Sequence, residues 1–226
     1  MINGENKKII LALDELGWDE AIELVKKVGH LVYAVKIHNL YDQFGPGIVQ
    51  KLKNAGVEKV WVDHKLHDIP NTVRLRAKDI EADIISVHAS GGVAMMREAV
   101  ASGKEILAIT ALTSLSPEEV KQIYGRIPED TVLTLARLAR EAGVSGVVCS
   151  PQEVKIIRSQ EELKGLKIVV PGTRSLGMEM HDQARVSTPG EAIRDGADYL
   201  VVGRQITEAR DPTAEIQKIT EEIKRN

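Results

Sequence analysis

The sequence predicts a single-domain α/β fold, specifically a (β/α)8 TIM barrel, on three observations. Short β-branched runs alternate with longer amphipathic segments along the whole chain, which is the pattern of repeated βα units and a parallel sheet. The runs are almost continuously apolar, as expected of strands that are covered on both faces. Eight such runs occur within 226 residues, and eight parallel strands in a chain of this length favour closure into a barrel. A doubly wound open sheet is the alternative fold.

The eight predicted strands are spaced along the chain with one helical segment or more after each. They are Ile9 to Leu13, Tyr33 to Ile37, Val60 to Val62, Ile84 to Val87, Ile106 to Ile109, Gly146 to Cys149, Lys167 to Val170 and Tyr199 to Val202. Residues 1–7 are predicted to be a polar N-terminal tail. No linker or low-complexity tract divides the sequence, so we expect one domain over residues 1–226.

Helix start and stop signals lie between these strands. A hydroxyl residue precedes a proline, with glutamate three positions on, at Ser116, Ser150 and Thr188, which predicts capping boxes with proline at the first helical position. Asp211 and Pro212 open the last helix in a similar way. Glycines follow the helical stretches and are predicted to be left-handed caps. They are Gly29, Gly56, Gly103, Gly143 and Gly196.

The amino-acid composition argues against several classes of function. With 30 basic and 33 acidic side chains the net charge is -3, so no broad positive field would attract nucleic acid or an anionic membrane. No apolar run approaches the roughly 20 residues that span a bilayer. The single cysteine, Cys149, suits a reducing compartment and is predicted to be a small core residue. We therefore predict a soluble cytoplasmic protein whose anionic ligand, if it has one, is held by local groups.

The third strand carries the most informative segment, VWVDHKLHDIPNT at 60–72. Side chains two apart on a strand share a face, so Asp63 and Lys65 project the same way, while Asp68 lies beyond the strand and just before Pro70. Burying such charges is costly unless they pair with one another. The segment fits either a structural ion pair or a catalytic group of charges, and three charges so close together favour the second.

In this class of barrel the ligand site lies at the carboxyl ends of the strands. Polar residues do lie at or just after the ends of the predicted strands, among them Asp14, Lys36, His88 and Thr113. Two glycine-arginine elements follow strands seven and eight, PGTR ending at Arg174 and VGR ending at Arg204. The loops after these two strands commonly bind phosphate in such barrels, and arginine offers a planar fork to it. A phosphorylated small molecule is therefore the predicted ligand, with the long loop Ser175 to Ala184 as a candidate lid.

Other chemistries have weaker support. His64 and His67 could suggest a metal site with the neighbouring aspartates, but residues three apart on leaving a strand tend to point different ways, and Lys65 would place a cation in the middle. Markers of acyl transfer, nucleotide hydrolysis and dinucleotide binding are absent from the sequence. We predict no metal.

The residues resemble the orotidine 5'-monophosphate decarboxylase family, in its shorter bacterial and archaeal form, nearly end to end. The matching parts are LALD ending at Asp14, VKI around Lys36, DHKLHDIPNT at 63–72, VHASGG around His88, LTS around Thr113, PGTR ending at Arg174, DQAR around Gln183 and VGR ending at Arg204. Related decarboxylases and aldolases keep the Asp-x-Lys-x-x-Asp core, but not the Asp-Ile-Pro-Asn-Thr continuation together with Lys36. The sequence departs from the family pattern at His38, His64, Leu66 and Ser175.

This resemblance implies a reaction, a set of site residues and an assembly. Decarboxylation of orotidine 5'-monophosphate to UMP, in pyrimidine synthesis, would need no metal and no organic cofactor. The implied catalytic array is Lys36, Asp63, Lys65 and Asp68, with Lys65 as the proton donor. The implied substrate-binding residues are Asp14, Lys36, Asp63, Thr72, Thr113, Arg174, Gln183, Gly203 and Arg204. A homodimer is implied, with Asp68 and Thr72 reaching into the neighbouring subunit's site.

Two alternatives remain open at this point. The first is a Mg²⁺-dependent sugar-phosphate decarboxylase or aldolase of the same barrel superfamily, which would be expected to carry an acidic residue at the position of Lys36. The second is a non-catalytic nucleotide-binding barrel, which would keep Arg174 and Arg204 for phosphate without needing the Lys65 ammonium.

Overall fold

The computed structural model describes residues 7–175 and 187–225, and in it eight parallel strands close into a barrel. Each strand pairs with the next along the chain, and β8 pairs with β1. The strands are β1 (Ile9–Ala12), β2 (Ala34–Ile37), β3 (Val60–Leu66), β4 (Ile84–His88), β5 (Glu105–Ile109), β6 (Gly146–Val148), β7 (Lys167–Pro171) and β8 (Tyr199–Val202). The predicted (β/α)8 fold is confirmed, and the open sheet is wrong because β8 hydrogen-bonds back to β1.

Helices surround this barrel. They are α1 (Trp18–Val28), α2 (Asn39–Phe44), α3 (Gly47–Asn54), α4 (Pro70–Asp79), α5 (Gly92–Val100), α6 (Pro117–Tyr124), α7 (Pro128–Ala142), α8 (Val154–Arg158), α9 (Pro189–Arg194), α10 (Arg204–Thr207) and α11 (Pro212–Arg225). Within the described ranges, no helix is both long enough and apolar enough to cross a membrane.

The core has two layers because side chains of a strand alternate between its two faces. One layer fills the barrel and includes Ile10, Trp61, Ile84 and Leu107. The larger layer lies between the strands and the helices, and Cys149 is buried in it, as predicted. Apolar side chains form this inner layer, and polar side chains lie at the carboxyl ends of the strands. The fold therefore places the site at those ends.

The capping predictions are largely confirmed. Ser116 and Thr188 each accept a hydrogen bond from the backbone N–H three residues on, and the glutamate there closes the box. The box at Ser150 opens a 3₁₀ turn, Pro151–Glu153, which leads into α8. Asp211 Oδ1 accepts from the N–H of Ala214 at 3.1 Å, where α11 begins.

Gly29 departs from its prediction. Four of the five predicted caps have positive φ angles, but Gly29 has φ of -56° because the chain continues there into the 3₁₀ turn Gly29–Leu31. A Cβ at Gly29 would come within 3.2 Å of the backbone of Gly56. Glycine at this position leaves room for the neighbouring backbone and does not supply a left-handed conformation.

The tail and the third strand also differ in detail from the prediction. Residues 1–6 lie outside the described residues, and Lys7 is buried, with its Nζ 2.8 Å from Glu58 Oε1. Strand β3 runs four residues past the predicted Val62 and ends at Leu66. Asp63 and Lys65 therefore belong to the strand itself rather than to the loop after it.

Candidate active site

A cavity of about 290 Å³ opens at the carboxyl ends of the strands. Ala12, Trp61, Ile109, Val148 and Val201 contribute apolar surface to its lining. Eight of the predicted site residues line it as well: Asp14, Lys36, Asp63, Lys65, Thr113, Arg174, Gly203 and Arg204. The fold thus brings together residues that are spread over most of the sequence.

Two ammonium groups meet at one oxygen of the Asp63 carboxylate in this cavity. Asp63 Oδ2 accepts a hydrogen bond from Lys65 Nζ at 2.8 Å and lies 3.3 Å from Lys36 Nζ. Lys36 also donates to Asp14 Oδ2 at 2.5 Å. The result is an alternating series of carboxylates and ammonium groups, which is the arrangement that makes buried charges tolerable.

Burial and charge act in opposite directions on this series. Burial alone would raise the pKa of Asp63, but the nearby ammonium groups of Lys36 and Lys65 outweigh it and lower that pKa below its usual range. Burial likewise would lower the pKa of Lys36, yet the carboxylates of Asp63 and Asp14 raise it above the usual lysine value. Both groups are therefore charged at neutral pH.

The backbone is irregular at Lys65. Between β3 and β4 the register shifts, so that Val62 pairs with Ile85 and Leu66 with Val87. Lys65 lies within this bulge and has φ of 49°, a conformation that residues other than glycine seldom adopt. Bulges of this kind are frequent beside active sites because they redirect a side chain.

The cavity lining also includes two arginines. Arg174 follows β7 and is 9% exposed, while Arg204 is the first residue of α10 and half-buried. The N–H of Arg174 donates to the carbonyl of Ser187 at 3.0 Å, which ties the start of the β7–α9 connection to its end. The site therefore contains two guanidinium groups, after β7 and β8, in addition to the Lys/Asp series.

Two of the predicted site residues, Asp68 and Thr72, do not line this cavity, and a third lies outside the described residues. Asp68 is exposed, and its Oδ1 accepts from the N–H of Ile69 at 2.7 Å. Thr72 is half-buried on α4 and lines no part of the cavity. Gln183 lies outside the described residues, as does the predicted lid from residue 176 onward.

The two histidines of the third-strand motif diverge. His64 Nε2 lies 3.0 Å from Asp42 Oδ1, whereas the ring of His67 lies 5.4 Å from that of His88, measured between centroids. Over residues 7–175 and 187–225, no three His, Cys, Asp or Glu side chains are grouped so that they could hold a metal ion.

Sequence reasoning missed two residues of the site. Trp61 is 1% exposed and lines the cavity from the barrel interior. Ser86 is fully buried on β4, donates to Asp63 Oδ1 at 2.6 Å and accepts from the N–H of Lys65 at 3.0 Å. Ser86 could have been noticed as a single hydroxyl within the apolar run IISV, because a buried polar group needs a partner.

A closed (β/α)8 barrel with a charged cavity at the carboxyl ends of its strands defines the class: this is the architecture of the barrel enzymes, whose active sites lie at that face. The chain belongs to the orotidine 5'-phosphate decarboxylase / HUMPS family, whose model matches residues 7–219. It is an enzyme of the carboxy-lyase class.

Relatives of the chain carry the same family name. It is 38% identical to the orotidine 5'-phosphate decarboxylase of Pseudoalteromonas translucida, over 97% of this chain and 98% of that protein. It is 40% identical to that of Nitrosococcus oceani, over 97% of this chain and 98% of that protein. The crystal structure of the Lactobacillus acidophilus enzyme superposes with a TM-score of 0.81 at 32% identity, covering 96% of this chain and 99% of that one.

Proposed function

We propose that this protein decarboxylates orotidine 5'-monophosphate to UMP in pyrimidine biosynthesis, without a metal or an organic cofactor, and that Lys65 is the proton donor. One observation carries the proposal: the Asp63 carboxylate lies between the ammonium groups of Lys65 and Lys36, at 2.8 and 3.3 Å, inside a cavity. The names of the relatives support the substrate and the product.

The reaction needs electrostatic stabilisation of one carbon. Loss of CO2 from carbon 6 of the pyrimidine leaves an electron pair in the plane of the ring, which the ring does not delocalise. An ammonium group at that carbon stabilises the developing charge and then supplies the proton. Because Lys65 is already held by Asp63 before substrate arrives, little reorganisation is needed in the transition state.

Asp63 contributes to the difference between ground state and transition state. With the substrate carboxylate beside Asp63, repulsion between the two like charges falls as CO2 leaves, while attraction of the new carbanion to Lys65 grows. Only an interaction that changes between the two states accelerates the reaction. The buried Lys36, which Asp14 also holds, keeps the Asp63 carboxylate ionised.

Arg174 and Arg204 are proposed to hold the phosphate, with Gly203 and Gln183, on the opposite side of the cavity from Lys65. Thr113 would face the pyrimidine, and Asp14 and Lys36 the ribose. The charge of the two arginines and their place after β7 and β8 support the phosphate assignment. Binding energy at the phosphate is remote from carbon 6 and is available to orient the base.

A homodimer with shared active sites is part of this proposal, in which Asp68 and Thr72 of the partner subunit complete each array. Asp68 is exposed on its own chain, and the apolar side chains near it are exposed too, Ile69 at 65% and Leu75 at 48%. Exposed apolar side chains beside an unused charged motif are what a covered interface would explain.

One assay tests the proposed reaction against both alternatives. Purified protein is mixed with orotidine 5'-monophosphate and excess chelator, and loss of the orotate-ring absorbance is followed. We expect the same turnover with and without chelator. Turnover that chelator abolishes and added Mg²⁺ restores would contradict the metal-free mechanism and favour a Mg²⁺-dependent relative. Tight binding of UMP without any turnover would favour the binding barrel.

A further inference from the structure

Ser86 is the one polar residue in the interior of β4, between Ile84 and His88, and its side chain is completely buried. Ser86 is not among the residues that line the cavity. A buried hydroxyl at a strand centre has a cost unless both its hydrogen-bonding functions are used. In Ser86 both are used, and both partners belong to the proposed catalytic array.

The two hydrogen bonds of Ser86 form a closed ring with Lys65 and Asp63. The N–H of Lys65 donates to Ser86 Oγ at 3.0 Å, and Ser86 Oγ donates to Asp63 Oδ1 at 2.6 Å. Asp63 Oδ2 in turn accepts from Lys65 Nζ at 2.8 Å. The ring starts at the backbone of Lys65 and ends at the amine of the same residue.

The break in the β3–β4 ladder explains why a side chain is needed there. Three residues of β3, 63–65, stand against Ser86 alone on β4, because Val62 pairs with Ile85 and Leu66 with Val87. Among the residues in the described ranges, Lys65 is the one non-glycine residue with positive φ. A residue keeps such a strained conformation only where several contacts with the surrounding structure hold it in place. The hydroxyl of Ser86 supplies the acceptor that holds the Lys65 N–H in this bulge.

We infer that Ser86 is a positioning residue that aims the Lys65 amine into the cavity and fixes the plane of the Asp63 carboxylate. This inference rests on the proposed function, since it assigns a role within the same array. Ser86 acts through Lys65 and Asp63 and makes no contact with substrate. Its loss should therefore reduce the rate of the chemical step while leaving ligand affinity in place.

The test compares Ser86→Ala with a matched control, Ser145→Ala. Ser145 Oγ also accepts from a backbone N–H of the neighbouring strand, that of Ile106 at 3.2 Å, but at the amino end of the barrel. We expect Ser86→Ala to lower kcat roughly 10- to 100-fold, as small misplacements of reacting groups do. The affinity for UMP should stay within about threefold of wild type, which is a change in binding free energy of less than about 1.4 kcal/mol. Ser145→Ala should change neither.

The pH profile supplies a readout that a purely structural role would not move. The charged groups around Asp63 in the described residues are Lys36 on β2 and Lys65 on β3, with His88 of β4 farther off. The hydrogen bond from Ser86 helps to lower the pKa of Asp63. The acidic limb of kcat should therefore move to higher pH in Ser86→Ala. An unchanged kcat with an unchanged acidic limb would overturn the inference.

Two further measurements test the role of Ser86 independently of the kcat of Ser86→Ala. If the alanine variant does not fold, Ser86→Thr and Ser86→Cys replace it, because threonine keeps the hydroxyl and cysteine offers only a weak donor. Equal kcat for these two would overturn the inference, and a faster threonine variant supports it. Amide exchange at Lys65, read by NMR without substrate, should accelerate in Ser86→Ala. Amide exchange at Lys65 does not depend on turnover. It therefore tests the inference about Ser86 even if the wild-type protein fails to decarboxylate the substrate, and it distinguishes failure of the inference from failure of the proposed function.

Discussion

Asp63 and Lys65 stand two residues apart on β3, and their side chains meet in an ion pair of 2.8 Å in which the Asp63 side chain is 6% exposed and the Lys65 side chain 35%. The side chain of Lys36, which brings the second amine to the same carboxylate, is only 10% exposed. Both lysines line the cavity, and Lys65 is the more exposed of the two. The greater exposure of Lys65 supports the proposal that it is the proton donor.

Replacing Lys65 should stop the reaction without removing the binding site. We expect Lys65→Ala to abolish turnover while UMP affinity, measured by calorimetry, stays within about tenfold of wild type, or about 1.4 kcal/mol. Lys65→Arg is the matched variant, because arginine keeps the charge but does not release a proton. It should be inactive too. A near-normal rate in either variant would remove Lys65 from the mechanism.

Replacing the arginines should weaken ligand binding, which replacing Lys65 should leave in place. Arg204→Ala should weaken UMP binding about 100-fold, or about 2.8 kcal/mol, because a charge-assisted contact to phosphate is lost. Binding of uridine, which lacks the phosphate, should be unchanged, and Arg174→Ala should behave similarly. Arg210→Ala is the control, since Arg210 is exposed and does not line the cavity. Equal losses for UMP and uridine would show that the arginines support the fold instead.

Sharing of active sites predicts complementation between inactive subunits. In a mixture of Lys65→Ala and Asp68→Ala subunits, half of the dimers are mixed and each of these has one intact site, so about a quarter of the wild-type activity should return. The control is a mixture of Lys65→Ala with Asp63→Ala, whose two residues lie in the same chain's cavity. It should stay inactive. No recovery in verified mixed dimers of the first pair would count against sharing.

His64 should make the protein less stable in mild acid. Burial lowers the pKa of His64 although Asp42 opposes that shift, so the unfolded chain binds this proton more readily than the folded one. The free energy of unfolding should therefore fall as pH drops below the ordinary histidine pKa of about 6.5. In urea titrations at about pH 7.5 and about pH 5.5, His64→Leu should lose less stability on acidification than wild type. His30→Gln, at an exposed site, is the control; an identical loss in wild type and His64→Leu would contradict the prediction.

The sequence predicts the barrel well because one physical pattern repeats eight times: buried strands read as apolar runs, and capping boxes mark three of the segments between them. The charged groups could be located for a related reason. A polar side chain such as Lys36, directly after or at the end of a buried strand, has little purpose in a core, and parallel strands bring all such ends to one face.

Other parts depend on contacts that one sequence does not display. Strand β3 is longer than predicted because charges usually mark the end of a buried strand, whereas Asp63 and Lys65 are paired inside it. Ser86 resembles any strand serine until the bulge places it opposite Lys65. Asp68 and Thr72 lie away from the cavity of their own chain, so their predicted role depends on a second subunit.

The most direct test of the central claim is a crystal structure of the protein with a UMP-like inhibitor that carries a substituent at carbon 6. We expect Lys65 Nζ within hydrogen-bond distance of that substituent, still bonded to Asp63, with Arg174 and Arg204 on the phosphate. A structure with the Lys65 amine directed away from the base, or out into bulk water, would contradict the account.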